Sequence, residues 1–378
     1  MNLEEIRGQI DGIDKDITEL FAKRTKLVGD VAKYKKENNV PIFARGREEE
    51  VLSRVCGSVP EELSAGASVL FRNIMDISKS MQYKQVGVKA PIVNEIEKAM
   101  ITPQEMPKIP NIACPGIAGS NSQMATSKLF ENGKLTYLDS FPEVFEAVDN
   151  GTVDFGVLPI ENSTAGSVRE VYELIRKFEF YINFEIKIKI DYVLATRSAD
   201  AKLSEIAEIF SHEQALAQCA DYLKTLPATC TPWENTAIAA KMVADSDRPI
   251  AAVCNEECAK LYGLNVLKQG LTNIDDNYTR FICISKKLYP NKKADGISVS
   301  LNIPNTQGSL YQLLTYFAVN GVDMTKIESK PLGNKNFDAI FYIDYKGNLF
   351  EKNSIDLINH LANEDYHLKF LGNYLRIE

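Results

Sequence analysis

Apolar residues recur at alternating spacings of three and four along the first 34 residues of the chain. This heptad pattern is typical of a long helix that packs lengthwise against other helices. It predicts a helix from about Leu3 to Asn38, ended by "NNVPIF", in which Pro41 stops helical pairing. The seam residues are Leu3, Ile6, Ile10, Ile13, Ile17, Leu20, Leu27, Val31 and Tyr34.

One seam position carries a cation. Arg24 takes the place of the apolar residue expected after Leu20. Because an unpaired buried guanidinium is strongly destabilising, Arg24 needs an anion. Charge counting alone favours a Glu on a facing helix, in an intersubunit salt bridge, over a bound ligand.

Further polar residues favour a ligand. Lys35 lies three turns after Arg24 on nearly the same helical face, and Arg7 lies four heptads before Lys35. A helix of that length rises roughly 42 Å, so Arg7 could serve the same small ligand only from a second subunit with antiparallel helices. Later helices, predicted from near Arg45 and over about 61–85, add Arg47, Glu48, Ser78 and Gln82.

Composition excludes several classes of protein. The net charge of −8 argues against a nucleic-acid partner, and no apolar run approaches the roughly 20 residues of a membrane span. Met1 opens directly onto the amphipathic helix, which predicts no secretory signal and a cytoplasmic location. Seven scattered cysteines indicate reduced thiols, and with three histidines we expect no metal site and no cofactor.

The rest of the chain has a different pattern of apolar residues. Residues 89–110 contain several prolines and predict a linker. From Ile112, short β-branched runs alternate with helical patterns, which predicts α/β units around mainly parallel sheets. After a basic, turn-rich stretch, the order from Ile297 is βαββαβ, typical of a small ferredoxin-like domain.

Polar motifs follow several of the predicted strands. They are "GIAGSNSQMA", "LPIENSTAGSV", "SHEQALAQC", "ENTAIAA" and "DNYTRF". Ligands bind α/β domains at the carboxyl ends of strands. Each motif residue alone is more often a helix cap, as we expect for Ser211, and His212 alone is weak evidence for acid–base chemistry.

Over residues 1–85 the chain resembles the all-helical class of chorismate mutase, through "IRGQI", "KR" with "KYK", "REEE" and "ISKSMQ" in register. That resemblance implies an interlocked homodimer that rearranges chorismate to prephenate. It also implies that Arg7 of the partner subunit and Arg24 clamp the substrate carboxylates. Lys35 and Gln82 would donate to the ether oxygen, Glu48 and Ser78 would orient the hydroxyl and ring, and Arg47 would support this corner. The family often has an Asp where this chain has Ala44, so any contact there comes from the backbone.

Across 112–286 the chain resembles prephenate dehydratase, through "PIENSTAGSV", "SHEQALAQC" and "NYTRF". The resemblance implies two lobes, as in type-2 periplasmic binding proteins, with the active site in the cleft. Thr279 would be the essential catalytic residue, hydrogen-bonding the departing hydroxyl rather than titrating. Arg280 is either a carboxylate anchor or part of a structural ion pair. Further candidate substrate contacts are Ser120, Asn162, Ser163 and Thr236.

"NTQGSLYQLL" and "KIESKPL" resemble the ACT domain attached to these dehydratases. The resemblance implies a phenylalanine site between two chains, formed by Gly308, Ser309, Leu310, Tyr311, Glu328 and Ser329. Gln307 and Ser309 replace the family's usual Pro and Ala. A dimerisation module that has lost its ligand is the alternative.

Together the resemblances imply a multidomain, bifunctional enzyme of phenylalanine biosynthesis. The predicted parts are an all-α mutase domain (1–88), a linker (89–110), a two-lobed α/β dehydratase domain (111–287) and an α+β ACT domain (296–378). The expected partners are chorismate, prephenate, phenylalanine as feedback effector and further copies of the chain, in a dimer or tetramer. An arogenate dehydratase and a non-catalytic amino-acid sensor are the alternatives.

Overall fold

The structure is a computed structural model that describes residues 2–42, 45–306, 308–332, 339–364 and 366–377, with Arg45 described in its backbone only. The chain divides into two compact units. The first comprises Met1–Thr102 and Gly296–Leu371, and the second comprises Pro103–Asp295 and Gly372–Glu378.

The amino-terminal part of the first unit is helical, as the sequence predicts. Asn2 caps the first helix in a capping box with Glu5, which satisfies two of the free N–H groups of the first turn. The helices are α1 (Leu3–Glu37), α2 (Arg45–Cys56), α3 (Glu61–Val86) and α4 (Pro91–Ile101).

The predicted linker, 89–110, contains a helix over half of its length. Helix α4 begins at Pro91, which occupies its first turn. Proline is tolerated there because its missing N–H has no partner in a first turn. Val93 and Ile96 bury one face of α4, which packs against a carboxy-terminal helix, α13, defined below.

The second unit contains two mixed sheets, which form its two lobes. The first has the order β2-β1-β3-β11-β5, with residues of β15 from Gly372 onwards beside β5, and the second has the order β10-β6-β9-β7-β8. The strands of this unit are β1 (Asn111–Pro115), β2 (Lys134–Leu138), β3 (Phe155–Asn162), β4 (Gly166–Ser167), β5 (Tyr181–Lys189), β6 (Val193–Thr196), β7 (Glu208–Ser211), β8 (Thr229–Pro232), β9 (Ile250–Cys254), β10 (Asn265–Lys268), β11 (Tyr278–Ser285) and β15 (Lys369–Ile377).

Helices cover these sheets, among them α5 on β1, β3 and β5, and α10 on β7 and β9. They are α5 (Asn121–Leu129), α6 (Phe141–Asp149), α7 (Arg169–Lys177), α8 (Glu213–Gln218), α9 (Ala220–Leu223), α10 (Thr236–Ala244) and α11 (Glu256–Leu261). The prediction of mainly parallel sheets is wrong, because β11 runs antiparallel to both β3 and β5, and β6 runs antiparallel to β9 and β10.

Two predicted elements are each divided in the structure. The run "INFEIKIKIDYVLAT" forms β5 in one sheet and β6 in the other, with a break at 190–192. The run "EQALAQCADYLKTL" forms α8 and α9, which meet at Cys219. Periodicity could not reveal the first division, since both strands are continuous in β propensity.

The carboxy-terminal part of the first unit confirms the predicted βαββαβ order. Strands β13, β14 and β12 pair antiparallel in that order. The elements are β12 (Gly296–Ile303), α12 (Ser309–Val319), β13 (Met324–Pro331), β14 (Ala339–Lys346) and α13 (Lys352–Asn363), followed by β15. Both helices of this part contact α3. Within the described residues, no helix is both long and apolar enough to cross a membrane.

Candidate active sites

Eight polar side chains of the helical segment line one cavity of ≈ 370 Å³. They come from α1, α2 and α3, and all but Arg54 and Lys79 were candidates from the sequence. The cavity is large enough for a small metabolite. The polar residues are Arg24, Lys35, Arg47, Glu48, Arg54, Ser78, Lys79 and Gln82, and the apolar wall includes Val28, Val31, Ile42, Val51, Phe71 and Met75.

Two cations face this cavity without an acidic partner. Arg24 donates to the Ser78 hydroxyl at 2.5 Å, and Lys35 donates to the Ile42 carbonyl at 2.7 Å. Burial lowers the pKa of Arg24; it also lowers the pKa of Lys35, which nearby Glu48 partly restores. Among the described residues, no carboxylate forms an ion pair with either cation. Their charge is therefore available to an anionic ligand.

The cavity also contains a carboxylate and a side-chain amide. Glu48 forms an ion pair with Lys79 at 3.2 Å and remains partly exposed. The Gln82 side chain is buried, and its Oε1 has no hydrogen-bond partner among the described residues. Arg47 pairs with Glu50 at 2.6 Å on the exposed side of α2. The cavity thus combines cations, one carboxylate and one amide.

Arg7 does not line this cavity, and Ala44 lies outside the described residues. Arg7 is exposed near the start of α1. The seam residues around it are also exposed, from 42% for Ile6 to 64% for Leu20 and Leu27. A helix with so much exposed apolar surface is typical of one that packs against another subunit.

In the second unit, Asn162 and Thr279 are partners across β3 and β11. The Asn162 side-chain amide donates to the Thr279 hydroxyl at 3.0 Å, to Asn277 Oδ1 at 2.9 Å and to the Tyr278 carbonyl at 3.2 Å. Asn162 is buried, so these bonds are shielded from water. They fix the start of β11, where Thr279 lies.

The other end of the same amide organises the loop after β3. Asn162 Oδ1 accepts from the Thr164 N–H at 3.0 Å, the Thr164 hydroxyl at 2.7 Å and the Ala165 N–H at 2.9 Å. Gln218 of α8 donates to the Thr164 hydroxyl at 2.7 Å. One asparagine therefore joins three of the quoted motifs.

A cavity of ≈ 300 Å³ lies beside this network. Gln214, Gln218, Asn273 and Asn277 contribute amide groups to it, although the sequence analysis did not select them. The first two lie within "SHEQALAQC" and Asn277 within "DNYTRF", so motif membership was the available signal. The lining residues are Thr164, Ala165, Gln214, Ala217, Gln218, Thr272, Asn273, Ile274 and Asn277.

Arg280 forms ion pairs with Glu161 and Glu185, each at 3.3 Å. Successive strand residues point to opposite faces of a sheet, so Arg280 lies on the face opposite to Thr279. These ion pairs fit the structural role, one of the two roles that the sequence left open for Arg280.

The remaining candidates occupy different places around the sheets. Ser163 bonds to the backbone of Tyr278 and Asp276, so it belongs with Asn162 and Thr279. Ser120 caps α5 and lines a separate cavity, while Thr236 opens α10. Neither Ser120 nor Thr236 contacts the Asn162 network in the described part of the chain.

The prediction that Ser211 caps α8 is wrong. Its hydroxyl donates to the Val253 carbonyl at 2.6 Å, between β7 and β9. His212 is the cap, and its Nδ1 accepts from the Gln214 N–H at 3.3 Å. The histidine therefore has a structural partner.

The candidate effector residues form two groups in the carboxy-terminal part. Gly308 precedes α12 with φ +87°, a conformation that favours glycine, and the Ser309 hydroxyl lies 2.6 Å from that of Thr306. Leu310 and Tyr311 are exposed. On β13, Glu328 lies within 3.0 Å of Lys326 and 2.6 Å of Lys330, next to exposed Ser329. Gln307 lies outside the described residues.

Family models match most of the two segments that carry these cavities. Residues 6–83 match chorismate mutase type II, and residues 112–288 match prephenate dehydratase. A bifunctional chorismate mutase/prephenate dehydratase of Buchnera aphidicola subsp. Schizaphis graminum is 30% identical over 99% of this chain and 96% of its own. The chain belongs to the bifunctional chorismate mutase/prephenate dehydratase family.

Two further comparisons concern the dehydratase part of this family. An arogenate dehydratase/prephenate dehydratase 2 of Arabidopsis thaliana chloroplasts is 30% identical over 78% of this chain and 81% of its own. The crystal structure of a prephenate dehydratase from Arthrobacter aurescens in complex with L-Phe is 29% identical, with a TM-score of 0.64 over 70% of this chain and 90% of that one. The two-lobed fold expected from the resemblance is thereby supported.

Membership in the bifunctional chorismate mutase/prephenate dehydratase family decides between the alternatives on catalysis. The chain is an enzyme of phenylalanine biosynthesis with a mutase and a dehydratase domain. The non-catalytic amino-acid sensor is excluded, since such a protein has no need of a second, mutase-type domain. Small molecules are its substrates.

Proposed function

We propose that chorismate is rearranged in the cavity between α1, α2 and α3. The observation that carries this proposal is the pair of cations, Arg24 and Lys35, without an acidic partner among the described residues. The rearrangement needs no nucleophile, only a compact substrate and stabilisation of charge on the ether oxygen. Arg24 binds a carboxylate, and Lys35 and Gln82 donate to the ether oxygen. Glu48 and Ser78 orient the hydroxyl and ring, and Arg47 supports this corner of the site.

Arg7 enters this site from a second copy of the chain. On one helix Arg7 and Lys35 are roughly 42 Å apart, so they cannot hold the same diacid. The exposed seam of α1 supports pairing with an antiparallel α1 of another subunit. The homodimer is the smallest assembly that completes the site, and a tetramer of two such pairs also satisfies it.

Prephenate is converted to phenylpyruvate, carbon dioxide and water beside Thr279. Because Asn162 donates to the Thr279 oxygen, the hydroxyl proton of Thr279 is available to the departing ring hydroxyl of the substrate. Asn162 and Ser163 hold the loop that carries this geometry. The amide-lined cavity beside them receives the substrate, with Ser120, Thr236 and Arg280 as more distant candidates for its contacts.

The carboxy-terminal βαββαβ domain is an ACT domain that binds phenylalanine as feedback inhibitor. The exposed start of α12 and the exposed β13 support a ligand site completed by a second chain. The relative from Arthrobacter aurescens was crystallised with L-Phe. The proposed limits are 1–88 for the mutase, 89–110 for the connection, 111–287 for the dehydratase and 296–378 for the ACT domain, in a cytoplasmic enzyme.

A two-step assay with site variants tests the assignment. The unaltered protein should convert chorismate to phenylpyruvate. Arg24→Ala should leave chorismate unconverted but still consume added prephenate, while Thr279→Ala should accumulate prephenate. The reverse pattern, or loss of both activities in either variant while the fold is intact, would contradict the assignment of the two cavities.

The same assay addresses substrate choice. One relative carries arogenate dehydratase in its name, and arogenate differs from prephenate by an amine in place of a keto group. Comparing kcat/KM on the two substrates decides between the two names for the second reaction.

A further inference from the structure

A buried charge cluster borders the mutase cavity. Lys79 of α3 follows Ser78 in sequence and is almost completely buried. Its ammonium lies 3.1 Å from Asp76, 3.2 Å from Glu48 and 3.4 Å from Glu364. Two members of this cluster, Glu48 and Lys79, also line the mutase cavity.

The carboxy-terminal domain supplies half of the partners in the cluster. The Tyr316 hydroxyl of α12 accepts from Lys79 at 3.1 Å and donates to Asp76 at 3.1 Å. Gln312, one turn earlier, donates to the same Asp76 oxygen at 3.0 Å. Glu364 follows α13. The mutase helix α3 and the carboxy-terminal domain are therefore joined through Lys79.

Electrostatics keeps Lys79 charged in this position. Burial alone would lower the pKa of Lys79, but the three carboxylates outweigh it and raise the pKa. Burial raises the pKa of Glu364 to about 7, although Lys79 opposes this shift. A buried ion cluster is held rigidly, because removing one member leaves the others uncompensated.

The alternative partners of Glu48 show why this matters for the cavity. Lys35, Arg47 and Arg54 line the same cavity, and Glu48 already influences the pKa of Lys35. A Glu48 released from Lys79 could turn towards Lys35 and neutralise a cation that the substrate requires. The ion pair between Lys79 and Glu48, at 3.2 Å, opposes such a turn.

We propose that Lys79 is a positioning residue of the mutase reaction, which fixes Glu48, and that Tyr316 and Glu364 of the carboxy-terminal domain fix Lys79 in turn. The inference rests on the proposed role of Glu48 in orienting chorismate. It makes the carboxy-terminal domain part of the framework of the mutase site, in addition to any ligand that this domain binds.

Kinetics on the full chain test the proposal. Lys79→Met should lower the mutase kcat by roughly 10- to 100-fold, the size expected when a catalytic group is displaced by about 1 Å, with a smaller change in KM. Lys79→Arg should recover part of this loss. The dehydratase kcat on prephenate, measured on the same preparation, should not change. Lys84→Met is the matched control, since Lys84 lies on the same helix and pairs with Asp356 at its surface.

A double variant separates positioning from a general effect on folding. If Lys79 acts through Glu48, then Lys79→Met in a Glu48→Gln background should add little to the loss caused by Glu48→Gln alone. The proposal would be overturned if the loss of mutase kcat in the double variant equalled the product of the two single losses. It would also be overturned if Lys79→Met kept the parental mutase kcat. A parental kcat in Glu48→Gln would instead remove the proposed role of Glu48.

A shape-conserving variant covers the case in which Lys79→Met does not fold. Tyr316→Phe removes only the hydroxyl that bonds Lys79 and Asp76. It should lower the mutase kcat less than Lys79→Met would, with dehydratase turnover unchanged. An unchanged mutase kcat in Tyr316→Phe and in Glu364→Gln would overturn the contribution of the carboxy-terminal domain.

Discussion

The Asn162 side chain donates to the Thr279 hydroxyl at 3.0 Å, although 117 residues separate the two in sequence. The contact exists because β3 and β11 pair antiparallel with Asn162 opposite Thr279. Asn162 thus occupies one lone pair of the hydroxyl, and in the proposed function the Thr279 proton is donated to the substrate. The dehydratase predictions below follow from this bond.

Replacing Asn162 by Asp should impair the dehydratase alone. A carboxylate has no N–H to donate. The hydrogen bonds to Asn277 Oδ1, the Tyr278 carbonyl and the Thr279 oxygen would therefore be lost, and oxygen atoms would face one another instead. We expect the dehydratase kcat to fall roughly 100-fold through displacement of Thr279, with mutase turnover unchanged. Asn150→Asp, at an exposed helix end, is the matched control. A parental dehydratase kcat in Asn162→Asp would show that the bond is dispensable.

Thr279 should act through its hydroxyl rather than its bulk. Thr279→Val keeps the shape and removes the donor, and we expect the dehydratase kcat to fall roughly 100- to 1,000-fold, as when a transition-state donor is removed. Thr279→Ser keeps the donor and should retain most of the turnover. Steady-state kinetics on prephenate check both. Equal losses in the two variants would assign Thr279 a packing role.

Mixing two inactive mutases should restore activity if Arg7 crosses between subunits. In a heterodimer of Arg7→Ala and Arg24→Ala chains, one site lacks both arginines and the other has both. Random pairing should therefore recover about a quarter of the parental mutase activity in a two-fold assembly. Co-expression with two different affinity tags gives the measurement. Mixed without subunit exchange, the two proteins should remain inactive, and restored activity in strictly monomeric fractions would contradict the shared site.

Gly308→Ala should abolish the response to phenylalanine and spare catalysis. An alanine at φ +87° is strained by about 1 kcal/mol and adds a methyl group where the proposed effector approaches the start of α12. Gly321→Ala is the control, since Gly321 has φ +64° and equally open surroundings at the other end of α12. Dehydratase rates with and without phenylalanine check the prediction. If inhibition persists in Gly308→Ala and disappears in Gly321→Ala, the effector does not bind at the start of α12.

Local patterns predict the helices of this chain well. The heptad seam gives α1, and the four-residue spacing of Ser78 and Gln82 places both on one face of α3, because helical geometry depends only on sequence separation. The same reasoning fails at Pro91. A proline ends one helix or begins another with similar ease, so only the packing of Val93 and Ile96 decides between the two.

Contacts between distant elements were not predictable in this way. Lys79 and Tyr316 lie 237 residues apart and meet only because α12 packs on α3. The partners of Arg280 come from β3 and β5, whose register with β11 no local pattern specifies. The sequence indicated which residue types could form each site, and the tertiary fold decided which of them meet.

The pair Glu364 and His360 should make stability respond to pH in an unusual way. Burial raises the pKa of Glu364 to about 7 and lowers the pKa of His360 to about 3. The ordinary pKa values are 4.5 for Glu364 and 6.5 for His360. Between pH 4.5 and 6.5 this pair therefore binds one proton in both states, on Glu364 in the folded chain and on His360 in the unfolded chain. The two slopes cancel over this range.

Glu364→Gln should remove that cancellation. The raised pKa of Glu364 contributes stability that is fully present below pH 4.5 and is lost as pH rises through 7. The free energy of unfolding of the variant should therefore increase relative to that of the parent as pH rises from 4.5 to 7. The slope of this gain approaches about 1.4 kcal/mol per pH unit. Urea unfolding of the first unit, followed by circular dichroism at several pH values, gives the difference. A difference in unfolding free energy between Glu364→Gln and the parent that stays constant over this pH range would contradict the raised pKa of Glu364.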